Sequence, residues 1–406
     1  SILTFNVFGG ASARCRAERL PHIAAVVRSK NADIICLQEA TADIADAIVS
    51  GSEPPSSRSP DGYEYEVVVR KRDVVYREFP DITASVGFQE AEMKAAEAYG
   101  WDVEFKRAKR EQGAASLFDE HGELVVIMNK ASLERKGLRY ATPKDMLRRG
   151  DTNFTHPGHF FDDGIMHCSF DFEIRGAPRD PLAKVTGEQA NAEGAQLRLD
   201  IFNCHFAGGS FEKPQEVQKQ KSDLRRHEFK VLNGAIMKRR AQVRQESLLH
   251  GSGCSVHLIV ACGDFNCDPD PAFRAEFPES DESPEFQSCL FQDECLGSVQ
   301  AGSRFRDVGE TLGVTESSSR NAFRGCLKPG QGREVRFDRI LVGPSETISS
   351  SFSTVGATRL VVDAAELVGE HQVALGRHSD LNSEPLPLFC SDHFGVIARL
   401  HLEAAR

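Results

Sequence analysis

The 406-residue chain has no uninterrupted apolar stretch near the ~20 residues needed to span a bilayer, and no charged-then-apolar leader precedes its first strand. Both absences lead to the expectation of a soluble protein, and cysteine usage to that of an intracellular one. Ser1 stands where a natural chain would begin with methionine, so a trimmed targeting segment stays open. A short disulfide framework is also missing: the 11 cysteines are odd in number and scattered through strand-like and helix-like segments, as in reducing compartments. Cys262 and Cys267 have no second Cys/His pair at zinc spacing, which leaves small buried thiols as their reading. Net positive charge is absent, and at −11 the chain is not a generic binder of phosphate backbones. No repeat of roughly 20–50 residues appears, which excludes solenoids and propellers.

What is present is ordinary for a globular protein with a sizeable core: 40% hydrophobic and 27% charged residues. Ile2 to Phe8 reads as a β-strand halted by Gly9-Gly10. Leu20, Ile23, Ala24 and Val27 recur at helical spacing within Arg14 to Lys30, with Pro21 tolerable only near the first turn. Asp33 to Glu39 is then a second strand ending in a carboxylate. Further strands are expected at Leu124–Met128, Leu197–Cys204, His257–Cys262, Phe337–Val342 and Phe394–Leu400. Nearly continuous apolar strands alternating with helices predict an α/β fold, a sheet covered by helices. The stretches 51–62, 176–195 and 274–294 read as surface loops, and 212–247 as one or two helices. Within 211–250, Lys213, Lys219, Lys221, Arg225, Arg226, Lys230, Lys238, Arg239, Arg240 and Arg244 outnumber Glu212, Glu216, Asp223, Glu228 and Glu246, which allows either a basic ridge on an acidic protein or no more than a solvated face.

Polar residues gather where strands end: Asn6, Glu39, His205, Asp264 and Asn266, Asp338, and Asp392 with His393. Any one of these is weak, because a lone Asp-His pair is usually a surface turn and single-motif matches often mislead. Together and in order, Phe5-Asn6, Leu37-Gln38-Glu39, Asn203-Cys204-His205, Gly263-Asp264-Phe265-Asn266, Arg336-Phe337-Asp338-Arg339-Ile340 and Ser391-Asp392-His393 resemble the endonuclease/exonuclease/phosphatase, or deoxyribonuclease-I-like, superfamily. The resemblance implies an α/β two-sheet sandwich flanked by helices, with the active site at one end. On it, 1–402 is one domain with insertions near 51–120, 131–195, 211–250 and 268–330.

The implied activity is phosphodiester hydrolysis assisted by Mg²⁺, or by Mn²⁺, since a hard cation must neutralise an anionic ester. Glu39 is the first choice of metal ligand, and the resemblance places Asn6 and Asp392 in the same metal region. Asp264 would position and deprotonate the attacking water, and Asn266 would hydrogen-bond that water or a phosphate oxygen. His393, oriented by Asp338, and His205 from the other side would stabilise phosphate oxygens as cations. The Arg336–Ile340 and Ser391–Gly395 runs look nearest to the 5′-tyrosyl-DNA phosphodiesterase pattern, whereas Cys262–Asn266 is equally similar to poly(A) deadenylases. Nucleic acid is the preferred substrate, with a lipid or inositol phosphate as one alternative and a non-catalytic assembly role as another.

Overall fold

The computed structural model describes residues 1–10, 13, 15–51, 64–71, 122–136, 138–140, 164–174, 195–208, 215–250, 254–267, 305–327, 334–343, 346–347, 358–376 and 386–404. The expected loops at 51–62, 176–195 and 274–294 lie almost wholly outside them. Among the described residues, no helix is long and apolar enough to cross a membrane.

Two mixed sheets face each other. The first has six strands in the order β14 (Thr358–Val368), β17 (Gly395–Ala404), β1 (Ile2–Asn6), β2 (Ile34–Ala40), β4 (Glu123–Asn129) and β3 (Tyr65–Arg70). The second follows the path β5 (Leu138–Tyr140), β6 (Gly164–Ile174), β7 (Ala195–His205), β8 (Cys254–Asp264), β12 (Asp338–Val342) and β9 (Arg306–Asp307), and β13 (Glu346–Thr347) pairs with β8. Among the described residues each sheet has one parallel pair, β1 with β2 and β7 with β8, and a hydrogen bond from Asn6 to Asp264 places the ends of β1 and β8 on the same side.

Strand alternation sorts the side chains of the two large sheets into three cores. Cys36, Val126, Met128, Phe170, Ile201, Val260 and Ile340 fill the space between the sheets. Leu3, Phe5, Ile35 and Leu37 point outward onto α1 (Arg16–Ser29) and α2 (Ala42–Ser50) through Ile23, Val27, Ile44 and Ile48. Phe202, Cys204, Ile259 and Ala261 on the other sheet meet Phe229, Leu232 and Ile236 of a long helix. These layers give the helix–sheet–sheet–helix sandwich expected of the deoxyribonuclease-I-like class. At roughly 1.5–3 kcal/mol per fully buried large apolar side chain, the outer contacts matter as much to the helices as their own hydrogen bonds.

That long helix, α4 (Gln215–His250), follows the short α3 (Lys130–Arg135) and is a single element running through Gly234 where one or two were expected. Its charge does not form the ridge that composition suggests. Arg225, Arg239 and Arg240 are buried, and Arg239 Nε donates to both oxygens of buried Asp200 at 3.0 Å, beside His257 at 2.7 Å and His167 at 2.9 Å. Lys219, Lys230 and Lys238 remain on the exposed face. Pro21 is a smaller departure: α1 begins at Arg16, which puts the proline beyond the first turn. The buried Cys262 and Cys267 are both free thiols.

Candidate active site

Strand register brings the predicted residues to one end of the sandwich. His205 on β7 pairs with Asp264 on β8, and Asp264 pairs in turn with Asp338 on β12. On the facing sheet, Asn6 ends β1 and Glu39 lies near the end of β2, while Asp392 and His393 immediately precede β17. Plain alternation would send Glu39 to the helix-covered face with Leu37. A register shift between Leu37 and Ala40, with Glu39 itself at φ +52°, breaks that pattern. Phe8 at φ +45° and Asn266 at φ +51° are also left-handed, so backbone strain collects at these strand ends, as it does at functional sites.

Two glycines make this packing possible. A Cβ on Gly122, at φ +86°, would lie 2.4 Å from the Glu39 carbonyl carbon. One on Gly263, at φ +142°, would lie 1.8 Å from the Cys204 carbonyl oxygen. The glycine of the Gly-Asp-Phe-Asn motif therefore lets β8 close against β7 where Asp264 must meet His205.

Asp264 is the hub. Its Oδ1 accepts from the Asn266 backbone N–H at 2.8 Å, and its Oδ2 from Asn6 Nδ2 at 3.0 Å. The same Asn6 nitrogen donates to Glu39 Oε1 at 3.0 Å. His205 Nε2 stands 3.7 Å from Glu39 Oε1 and 3.6 Å from Asp264 Oδ2. Asp264 is only 1% exposed, whereas the Glu39 side chain keeps 21% of its surface, so solvent reaches the cluster from the Glu39 side. Asn266 Nδ2 is committed to the Phe206 carbonyl at 2.9 Å, an order-keeping contact that the sequence does not announce.

His393 and Asp338 form a tight pair, with Nδ1 and Oδ2 2.8 Å apart. Thr315 Oγ1 accepts from the Phe337 and Asp338 N–H groups at 3.0 Å each, fixing the start of β12. Burial pushes the Asp338 carboxyl up to about 6, against the pull of His393, and Asp264 nearby adds to the rise. Burial alone would lower His393, but the charge and hydrogen bond of Asp338, then Asp264 and Asp392, hold it well above its usual value. The pair is an imidazolium beside a carboxylate at neutral pH.

The negative charge of Glu39, Asp264 and Asp338 exceeds what His393 offsets, and Asp338 Oδ1 is buried with no hydrogen-bond partner. Ligand atoms of Asp264, Asp338 and His393 all lie within 4.8 Å of one another, a group able to coordinate a metal ion. This is a different set from the Glu39, Asn6 and Asp392 expected as ligands. Asp392 is partly exposed, its carboxylate takes a 3.4 Å hydrogen bond from Ser391, and its charge acts on both His393 and Arg19.

Several contributors lie outside the predicted set. Gln38 Nε2 donates to Asn203 Oδ1 at 2.7 Å, and Asn203 Nδ2 donates to the Leu37 carbonyl at 3.0 Å, which ties the two sheets together directly under the site. Both residues sit inside quoted motifs, so the signal was present. Fully buried Arg19 donates to the carbonyls of Val7, Phe8 and Cys390, joining the β1 end to the Asp392 loop. Glu316, on the short strand β10 (Glu316–Ser317), places Oε2 4.0 Å from His393 Nε2. No motif marks Arg19 or Glu316.

A model of the Endonuclease/Exonuclease/phosphatase family matches residues 3–393. No curated protein matches the chain. Among solved structures, TDP2 from D. rerio, complexed with single strand DNA product, is 11% identical, with 98% of each chain covered and a TM-score of 0.42. TDP2 from C. elegans is 13% identical over 98% of this chain and 73% of that one, at 0.44. Beta toxin 275-280 from Staphylococcus aureus is 13% identical over 98% of both, at 0.46.

Proposed function

The chain belongs to the endonuclease/exonuclease/phosphatase family, and we propose that it hydrolyses a phosphodiester of nucleic acid in a Mg²⁺-dependent reaction. One observation carries this reading: Asn6, Glu39, His205, Asp264 and the Asp338–His393 pair converge from both sheets on one acid-rich, partly open end.

The donor set suits a hard cation, because carboxylate and amide oxygens dominate it. Glu39, the most solvent-accessible carboxylate of the hub, would be the principal ligand, with Asn6 beside it; Asp392 is the weakest of the three. Asp264 and Asp338 offer further oxygens. In this reading His393 keeps its 2.8 Å bond to Asp338 and works as a cation. Mg²⁺, or Mn²⁺ on the same donors, supplies neutralisation of phosphate charge when bound.

The protein's own groups do the rest. Asp264 holds and deprotonates a water through Oδ2, the atom nearest both His205 and His393. His393, kept protonated by Asp338, presents positive charge to the phosphate oxygens as the pentavalent state forms, and His205 does so from the Glu39 side. Asn266 keeps Asp264 and the chain after His205 in register through its N–H and its amide. Lys219, Lys230 and Lys238 on the outer face of α4 support a polyanionic substrate over a small phosphoester.

The test is a panel of DNA, RNA, sphingomyelin and inositol phosphates with Mg²⁺ or chelator, comparing wild type with Asp264→Asn. Mg²⁺-dependent cleavage of oligonucleotides is expected. Cleavage confined to lipid or inositol phosphate would replace the substrate class, and inertness throughout would favour an assembly role.

A further inference from the structure

The helix α4 packs against the second sheet, and two of its charged residues reach the active end through a single residue, Ala207. Glu228 is fully buried, and its Oε2 accepts from the Ala207 N–H at 2.9 Å. Arg225, one turn earlier and also buried, donates from Nη1 to the Ala207 carbonyl at 2.9 Å. Ala207 lies two residues beyond His205, where the chain has left the β7–β8 ladder and its peptide groups have no strand to bond. Phe206 is held from the other side: its N–H donates to the Asp264 carbonyl at 2.9 Å, and its carbonyl accepts from Asn266 Nδ2 at 2.9 Å. Every backbone polar group of Phe206 and Ala207 is thus fixed either by the catalytic motif or by α4.

We propose that Glu228 and Arg225 are positioning residues for His205, gripping both polar groups of Ala207 so that the imidazole stays between Glu39 and Asp264. The exit of the chain from β7 sets the direction of the His205 side chain, and the 3.6–3.7 Å spacings to both carboxylates leave little room for drift. This gives the buried charges of the segment a role directed inward, at the site. It rests on the phosphodiesterase reading only for its effect on turnover; the effect on His205 itself does not.

A second property follows from where Glu228 sits. Burial pushes its carboxyl up to about 8, against the Ala207 N–H and the charges of Arg225, His205 and Lys221. The groups facing it are Arg225 and Lys221 from its own helix and His205 and Cys204 from β7. Its Oε1 has no hydrogen-bond partner. At neutral pH the side chain is a neutral acid whose carbonyl oxygen accepts from Ala207, as a glutamine would. Above that range a buried negative charge appears behind His205.

The experiment compares wild type, Glu228→Gln and Glu228→Ala by NMR of the His205 ring across pH 5–10, alongside kcat and KM. In wild type the His205 signal should show an inflection near pH 8 that Glu228→Gln lacks. Glu228→Ala should move or broaden that signal and lower kcat about 10- to 100-fold with KM nearly unchanged, since small misplacements of reacting groups cost on this scale. Glu228→Gln should recover most of the loss. If Glu228→Ala does not fold, Arg225→Met, which removes the donor to the Ala207 carbonyl, should move or broaden the same signal. An unaltered His205 signal with unchanged kcat in the alanine variant overturns the proposal, whereas the same inflection in the glutamine variant removes only the titration of Glu228. Absence of any phosphodiester turnover, with the NMR inflection present, would remove the function and leave the positioning intact.

Discussion

Replacing Asp338 with asparagine separates what the Asp338–His393 pair does for catalysis from what it does for the fold. The Asp338 carboxyl is raised from 3.8 to about 6, which corresponds to roughly 3 kcal/mol against its anion at neutral pH. Asp338→Asn removes that cost while keeping the side chain's shape and a hydrogen bond to His393. It also removes the chief cause of the imidazolium, because burial then favours neutral imidazole. Stability at pH 7 should therefore stay within about 1 kcal/mol of wild type or rise, the usual exchange between a strained site and a relaxed one. Turnover should fall about 10²–10³-fold, since losing an oriented donor to developing charge costs roughly 3–4 kcal/mol. KM should change little, because the imidazolium acts mainly in the transition state. Urea denaturation and steady-state kinetics on one oligonucleotide substrate suffice. A variant that loses several kcal/mol of stability, or keeps kcat within about threefold, would refute the reasoning.

Gly263→Ala should cost roughly 3 kcal/mol or more, because the new Cβ meets the Cys204 carbonyl at 1.8 Å in a left-handed backbone; a urea midpoint close to wild type would show that β7 and β8 can move apart. Arg19→Met strips donors from three carbonyls and should lower stability by about 3 kcal/mol, and a loss under ~1 kcal/mol would mean that water replaces the guanidinium. Melting temperature without metal should fall as pH rises from 5 to 9. Asp338 and Glu228, at about 6 and about 8, hold protons more tightly in the folded chain than their ordinary values of 3.8 and 4.5 allow, so their support is full in acid and lost through those values. His393 is raised too, and its contribution is present below 6.5 and lost at higher pH. A melting temperature that climbs over this range would contradict the burial of these groups.

Legibility followed physical rules that act locally. Apolar strand runs and their polar last residues were readable, so β1, β2, β4, β7, β8, β12 and β17 lie close to where hydrophobic patterning put them. Chain order alone carried the family resemblance and, through it, the two-sheet sandwich. Three features were not readable. Glu39 faces Asn6 because of a register shift and a left-handed φ, which alternation cannot foresee. The basic run looked like a surface ridge, yet Arg225, Arg239 and Arg240 turn inward, because charge counts carry no information on helix rotation against a sheet. Arg19 and Glu316 act through tertiary proximity across long sequence separations, and nothing adjacent to them in the chain marks it.

The most direct measurement is the rate of hydrolysis of a simple activated phosphodiester as Mg²⁺ is titrated, in wild type, Glu39→Gln and Asp264→Asn. The account predicts Mg²⁺-dependent turnover in wild type and a weaker apparent Mg²⁺ affinity in Glu39→Gln. Asp264→Asn should lose about 10³-fold or more in rate, with its fold intact. Turnover that ignores chelator, or an Asp264→Asn variant as fast as wild type, would contradict it.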